Sequence, residues 1–278
     1  MVRAQPPRRL DTRRAVREAL GYLKRRGSKR NVEGMARYGI RAPKVFGVPM
    51  AAMKNLAGRF GQSHELAAAL WATGWHEARI LAAFVDEPER VTSAQMDRWC
   101  RDFDNWAICD TVCFHLFDRT PHAFRKVAKW SRRREEFIKR AAFALLASVA
   151  LHDKHSGDGP FARCLPLVER AASDERNFVK KGVSWGLRGL GRRSLELHAE
   201  AVALARRLSA SPEPAAQWVG KDALKDLTRP MVIRRLMAKH PRPEGSGLHY
   251  TLFASRGPSP AASAVSAASS RDRRTRAP

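Results

Sequence analysis

The sequence predicts an all-α protein, a right-handed solenoid of degenerate two-helix units similar to HEAT repeats. Three observations lead there. Apolar residues recur at helical spacing through most of the 278 residues. No stretch sustains the alternation of a half-buried strand. Breaks carrying Gly, Pro or Ser fall at short, fairly even intervals. Helix pairs joined by short turns bury their apolar faces by stacking on the next pair, and this builds a solenoid. Unit length varies, so a compact bundle of a dozen helices is the competing arrangement.

Residues 1–8 read as loose. From Leu10 to about Arg26, Val16, Leu20 and Leu23 recur among arginines, giving an amphipathic basic helix that Gly27-Ser28 breaks. A short helix follows from about Asn31 to Ile40, then a loop marked by Pro43 and Gly47, with Pro49 opening the next helix. Further helices are expected at 49–60, 63–73, 75–85, 93–102, 105–118, 121–131, 134–152, 159–172, 175–190, 194–209, 213–227 and 230–239. Ser63 and Asp174 are expected as N-terminal caps and Pro121 at a first helical position. The run Ala141–Leu151 is apolar nearly all round, so 134–152 is the central helix. Three regions result: a basic arm and helix over 1–30, a helical-repeat domain over 31–240, and a disordered low-complexity basic tail over 241–278.

Fifty-two Lys and Arg against 27 acids give a net charge of +25. Residues 1–30 contribute +9 and 241–278 contribute +4, which leaves +12 on the part expected to fold. Such a surface fits a polyanion, nucleic acid first. No apolar run is long enough for a membrane span, and the Arg-rich start lacks the apolar segment of a secretory signal. Four cysteines form no regular framework, which points to a reducing compartment, the cytoplasm. Cys109 and Cys113 share a helical face, but His115 points away and no fourth ligand is near, so buried structural cysteines are expected and no metal or cofactor is invoked.

Trp106 and Asp110 are four apart and stack on one helical face, at the edge of the arc formed by Ile108, Cys109, Val112, Cys113, Leu116 and Phe117. A tryptophan beside a carboxylate either packs the chain against itself or meets a cationic group on something the basic surface has captured. In 175–190, Trp185 lies off the stripe of Phe178, Val179, Val183, Leu187 and Leu190. It shares its face with Lys181 and Arg188, with Arg192 beyond, as a stacking or phosphate-tracking surface requires. Packing on a neighbouring helix is the alternative. Arg140 sits where its helix turns from charged to apolar, within reach of a phosphate or of a carboxylate such as Asp110.

Four segments in order, Met35-Ala36-Arg37-Tyr38, Trp106-x-x-x-Asp110, Lys139-Arg140-Ala141-Ala142 and Phe178-Val179-Lys180-Lys181-Gly182-Val183-Ser184-Trp185-Gly186-Leu187-Arg188, resemble the bacterial DNA alkylation repair glycosylases built from HEAT-like repeats (the AlkD-like family), over about residues 31–230. The resemblance implies a glycosylase that releases positively charged N-alkylated purines such as N3-methyladenine and N7-methylguanine from double-stranded DNA, with the lesion engaged at the duplex surface; since no lysine stands out as a Schiff-base nucleophile and no metal or cofactor is needed, a monofunctional glycosylase is expected. It implies Asp110, Trp106, Trp185 and Arg140 as the active-site residues and Tyr38 close to the lesion or the backbone. Arg37, Lys139, Lys181, Arg188 and Arg192 are the expected DNA contacts, and the protein is expected to act as a monomer. Asn105 and Ala107 depart from the family pattern, which has an aromatic before the tryptophan and an acid after it. The alternative is a non-catalytic HEAT protein that binds distorted or branched DNA.

Overall fold

A computed structural model describes residues 11–239. The loose start and the basic tail expected from the sequence lie outside these residues, apart from the start's last helix. All regular structure among the described residues is helical: α1 (Thr12–Arg26), α2 (Lys29–Arg37), α3 (Met50–Phe60), α4 (His64–Ala72), α5 (His76–Val85), α6 (Ser93–Arg101), α7 (Trp106–His115), α8 (Ala123–Trp130), α9 (Glu136–His152), α10 (Gly159–Ala162), α11 (Leu165–Ala171), α12 (Asn177–Leu190), α13 (Leu195–Ser209), α14 (Pro214–Leu227) and α15 (Pro230–Lys239). Single 3-10 turns follow α5 and α7.

The helices stack in two rows. In one row α3, α5, α7, α9, α12 and α14 pack side by side in that order. In the other, α4 lies on α5, α8 on α9, α11 on α12 and α13 on α14, and α1 lies on α4. This is a solenoid of helix pairs, as the spacing of the breaks predicts. Helix α9 lies at its centre. Twelve of its residues, from Ile138 to Ala150, are buried, because it has neighbours in both rows. Helix α1 buries Ala15, Ala19 and Leu23 in the same core.

Some expected boundaries shift for local reasons. The helix expected at 159–172 divides into α10 and α11, since Pro166 in the first turn of α11 has no N–H to continue a helix arriving from α10. Pro121 lies in the turn before α8 and not inside it. Asp174 does not cap α12. Its carboxylate takes the Arg176 amide at 3.2 Å and pairs with Lys139 and Arg176, so the helix opens only at Asn177. Ser63 caps α4 as expected, accepting from the Leu66 amide at 3.2 Å.

Helix α12 approaches α9 along a stripe of Gly182, Gly186 and Gly189, spaced to share one face. A Cβ at Gly189 would stand 3.0 Å from the Ala147 Cα, and one at Gly182 would stand 3.3 Å from the Arg140 Cγ. Side chains on this face would hold the two helices further apart.

Candidate functional site

The middle of the row α7–α9–α12 brings together the residues that the sequence marks. Asp110 on α7 faces Arg140 on α9 in a two-pronged ion pair, Nε to Oδ1 at 2.9 Å and Nη2 to Oδ2 at 2.7 Å. The third nitrogen, Nη1, donates to the Phe178 carbonyl of α12 at 2.7 Å. The guanidinium therefore ties three helices together. Arg140 is buried, whereas the Asp110 side chain keeps 19% of its surface open. Burial pushes the Asp110 carboxyl above the ordinary aspartate value, and the charge and hydrogen bonds of Arg140 pull the other way. Both carboxylate oxygens accept from N–H donors, the arrangement of an ionised carboxylate. Arg140 resists burial through the same pairing, which holds its guanidinium above the usual arginine value.

Trp106 and Asp110 are both half-buried at the rim of an arc whose Ile108, Cys109, Val112, Cys113, Leu116 and Phe117 are buried. The indole N–H of Trp106 donates to the Tyr38 carbonyl at 2.9 Å. The turn after α2 is thereby pinned beside α7. Gly39, at φ 74°, lets this turn press on α12, because a Cβ there would stand 2.9 Å from the Phe178 ring. Tyr38 itself is 74% exposed, with Arg37 exposed beside it. The turn thus presents an exposed aromatic and a cation next to the site.

Asn105 explains one departure from the family pattern. It caps α7, its buried side-chain oxygen accepting from the Ala107 and Ile108 amides at 3.0 and 3.1 Å. Its amide nitrogen donates to Asp104 at 2.6 Å and lies 3.4 Å from His76 Nδ1. An aromatic ring at position 105 would have no oxygen for those amides.

On the other side of Asp110 lies a cleft of about 520 Å³. Asp110 and Trp185 line it, together with the apolar side chains of Phe114, Ala147, Ala150 and Leu151. Its rim carries Lys154, Arg188, Arg192, Arg229, Arg235 and Lys239. Trp185 is half-buried with Lys181 exposed a turn earlier, and of the predicted stripe Val179, Val183, Leu187 and Leu190 are buried while Phe178, at its N-terminal end, is only half-buried.

The expected DNA contacts divide by how they are engaged. Lys181 and Arg37 are exposed. Arg188 lies 3.8 Å from Asp222, and Arg192 holds Asp226 at 2.6 Å through one nitrogen, yet both still line the cleft. Lys139 bonds to Asp174 at 2.9 Å and is mostly buried. Arg140 has its donors turned to Asp110 and the Phe178 carbonyl, which takes up the reach to a phosphate that the sequence leaves open. The helical pattern gives no sign of Lys154, Phe114 or the cations of α15. They belong to the site only through packing.

The sequence pattern of a family described as DNA alkylation repair enzyme matches residues 19–227. The chain belongs to that family. A solved structure from a new family of proteins related to the HEAT-like repeat DNA glycosylases, with affinity for branched DNA structures, is similar at a TM-score of 0.64 and 20% identity, over 74% of this chain and 93% of that one. A designed armadillo repeat protein aligns over 80% of this chain and 96% of its own at 13% identity and a TM-score of 0.33. No curated protein matches. This family member thus has the HEAT-like fold. The carboxylate, two tryptophans and arginine of the resemblance lie on the three central helices of its row. No helix among the described residues is long and apolar enough to cross a membrane.

Proposed function

We propose that this protein is a monofunctional DNA glycosylase that hydrolyses the N-glycosidic bond of positively charged N-alkylated purines, N3-methyladenine and N7-methylguanine, in duplex DNA. The observation that carries the reading is the Asp110 carboxylate, which Arg140 orients from below while one side stays open to a cation-rimmed cleft. A surface built only to grip phosphates gains nothing from a fixed negative charge there.

Alkylation at N3 or N7 makes the purine a cationic leaving group. As the C1′–N bond breaks, the base departs neutral with the bonding pair and positive charge builds on the deoxyribose. A preorganised carboxylate beside C1′ stabilises that charge, and losing one such group costs about 3–4 kcal/mol of barrier. Water then adds to C1′, and its proton passes to the carboxylate and on to solvent, leaving an abasic site. The faces of Trp106 and Trp185 suit a cationic ring or the adjacent sugar, each contributing on the order of 0.5–2 kcal/mol. Arg140 serves as a positioning residue for Asp110. Tyr38, Arg37, Lys181, Arg188 and Arg192 hold the strands, and Lys139 acts by keeping the α9–α12 junction in place. No lysine is assigned as a Schiff-base nucleophile, so the strand is left uncut.

The test is release of base from duplex DNA carrying N7-methylguanine or N3-methyladenine. Wild type is expected to release the base. Asp110→Asn is expected to lose activity by about 10²–10³-fold while keeping DNA affinity. A second reading, a non-catalytic protein for branched DNA, draws on the affinity named for the similar structure and on the cationic rim. No release by wild type, with salt-dependent binding to four-way junctions tighter than to duplex, would replace the first reading by the second.

A further inference from the structure

Positive charge is not spread evenly over the second row of helices. In each of α4, α11 and α13 the acids equal or outnumber the lysines and arginines. Helices α6 and α8 and the turn 131–135 carry eight cations, against Asp97 and Glu135 alone. The two helices stand together. Trp99 of α6 stacks on Trp71 of α4 at 4.0 Å, and Asp97 of α6 accepts from Lys129 and Trp130 of α8 at 2.8 and 2.9 Å. Arg98, Arg101, Arg132 and Arg134 are exposed and have no carboxylate partner among the described residues. Helix ends do not demand such a number, since α4 and α5 finish without any basic residue. We propose that this face of α6 and α8 is a second DNA surface, gripping the phosphate backbone of a duplex segment other than the one at Asp110. The protein then bridges two DNA segments. The proposal goes beyond the glycosylase reading and needs neither Asp110 nor base release.

Packing sets the face apart from the site. Helix α8 lies on α9 and buries Ala123, Val127 and Trp130, while α6 buries Met96, Trp99 and Cys100. By helical spacing Arg125, Lys129, Arg98 and Arg101 stand on the opposite sides of their helices, and all four are exposed. Nothing from α6, α8 or the turn lines the cleft beside Asp110. The chemistry favours DNA over an acidic protein. A protein partner seats on apolar or aromatic anchors. The large apolar side chains exposed among the described residues are Tyr38, Met50, Leu151, Met231 and Met237, and none belongs to this surface. A phosphate backbone asks only for charge and forked donors, which arginine supplies. Unpaired cations gathered on one surface repel one another in the free protein, and phosphates placed among them remove that repulsion.

The experiment uses the full chain and two unmodified duplexes. One is held on beads through biotin and loaded with protein, and the other carries a fluorophore and is offered after washing. Wild type should capture the second duplex, less so as salt rises. The combined variant Arg98→Ser, Arg101→Ser, Arg132→Ser, Arg134→Ser should lose capture by at least about tenfold and lower its salt exponent by about 3–4, as four lost phosphate contacts require. Loading on the first duplex and base release should stay as in wild type. Thermal melting checks the fold of this variant, and Arg132→Glu, a single change in an exposed turn, repeats the test with the helices untouched. No capture by wild type, or capture unchanged in the variants, overturns the second surface. Weaker loading on the first duplex without any capture also overturns it, because the patch then serves the same duplex as Asp110. Capture of fluorescent polyglutamate in place of DNA, lost in the variants, gives the patch to an acidic protein and overturns the assignment to DNA. Capture by a wild type that releases no base keeps the second surface and removes the glycosylase.

Discussion

Two carboxylates on neighbouring helices of one row meet different fates. Glu77 on α5 is fully buried and accepts from three successive backbone amides: Phe46 at 3.1 and 3.0 Å, Gly47 at 2.7 Å and Val48 at 3.2 Å. Those amides precede α3, so Glu77 closes the N-terminal loop onto the solenoid. Asp110 on α7 also has both oxygens bonded, but to one side chain, and it keeps an open flank on the cleft. Charge alone does not separate them. The difference is whether the remaining surface of the carboxylate faces protein or an accessible space. A carboxylate enclosed by amides is a fastener, and one held from a single side is available for chemistry.

The comparison can be broken in descending order of effect. Arg140→Ala leaves the half-buried Asp110 without its counter-charge and the Phe178 carbonyl without its donor. Unfolding by urea should show a loss of about 3–5 kcal/mol, the largest effect expected of any single substitution. Glu77→Ala strands the loop amides and should lose about 1–3 kcal/mol, measured the same way, with base release per folded molecule unchanged. If Glu77→Ala abolishes release while sparing stability, the division between fastener and chemical group fails. Asn105→Ala removes the cap of the helix that carries Asp110 and should lose about 1 kcal/mol. Asn105 also approaches His76, the neighbour of Glu77, so this variant probes the joint between the two regions.

The smallest effect is one of pH. Burial first, then the charges of Lys54, Arg119 and His152, pulls His115 from 6.5 down to about 4. Between those values the unfolded chain binds a proton that the folded chain does not, so stability falls as pH drops from 6.5 towards 4. Because His115 is partly open to solvent, the slope should be shallow. It should flatten further in His115→Gln, as denaturant titrations at pH 7 and pH 5 would register.

Periodicity made most of the fold legible. The edge position of Trp106 and Asp110 and the off-stripe Trp185 follow directly from helical spacing, and both survive in three dimensions. What spacing cannot supply is partnership across helices. Arg140 has two candidate partners in the sequence, and only the packing of α9 on α7 selects Asp110. Asn105 looks like an odd substitution beside a motif until its cap is seen, although an Asn just before a helix is itself a readable sign. The boundary at Pro166 was equally open to reading. The lining supplied by α15 was not, because nothing local to residues 230–239 tells which groove they border.

The glycine stripe on α12 has a consequence for tolerance to change. Where helices meet through side chains, their spacing drifts as those side chains are exchanged over generations. Where Gly182 and Gly189 let the α12 backbone rest on Arg140 and Ala147 of α9, that spacing behaves like a machined joint with no shim. The gap between the helix bearing Trp185 and the one bearing Arg140 is therefore fixed by main chain. The cleft residues around it can diversify towards other ligands without the central distance changing.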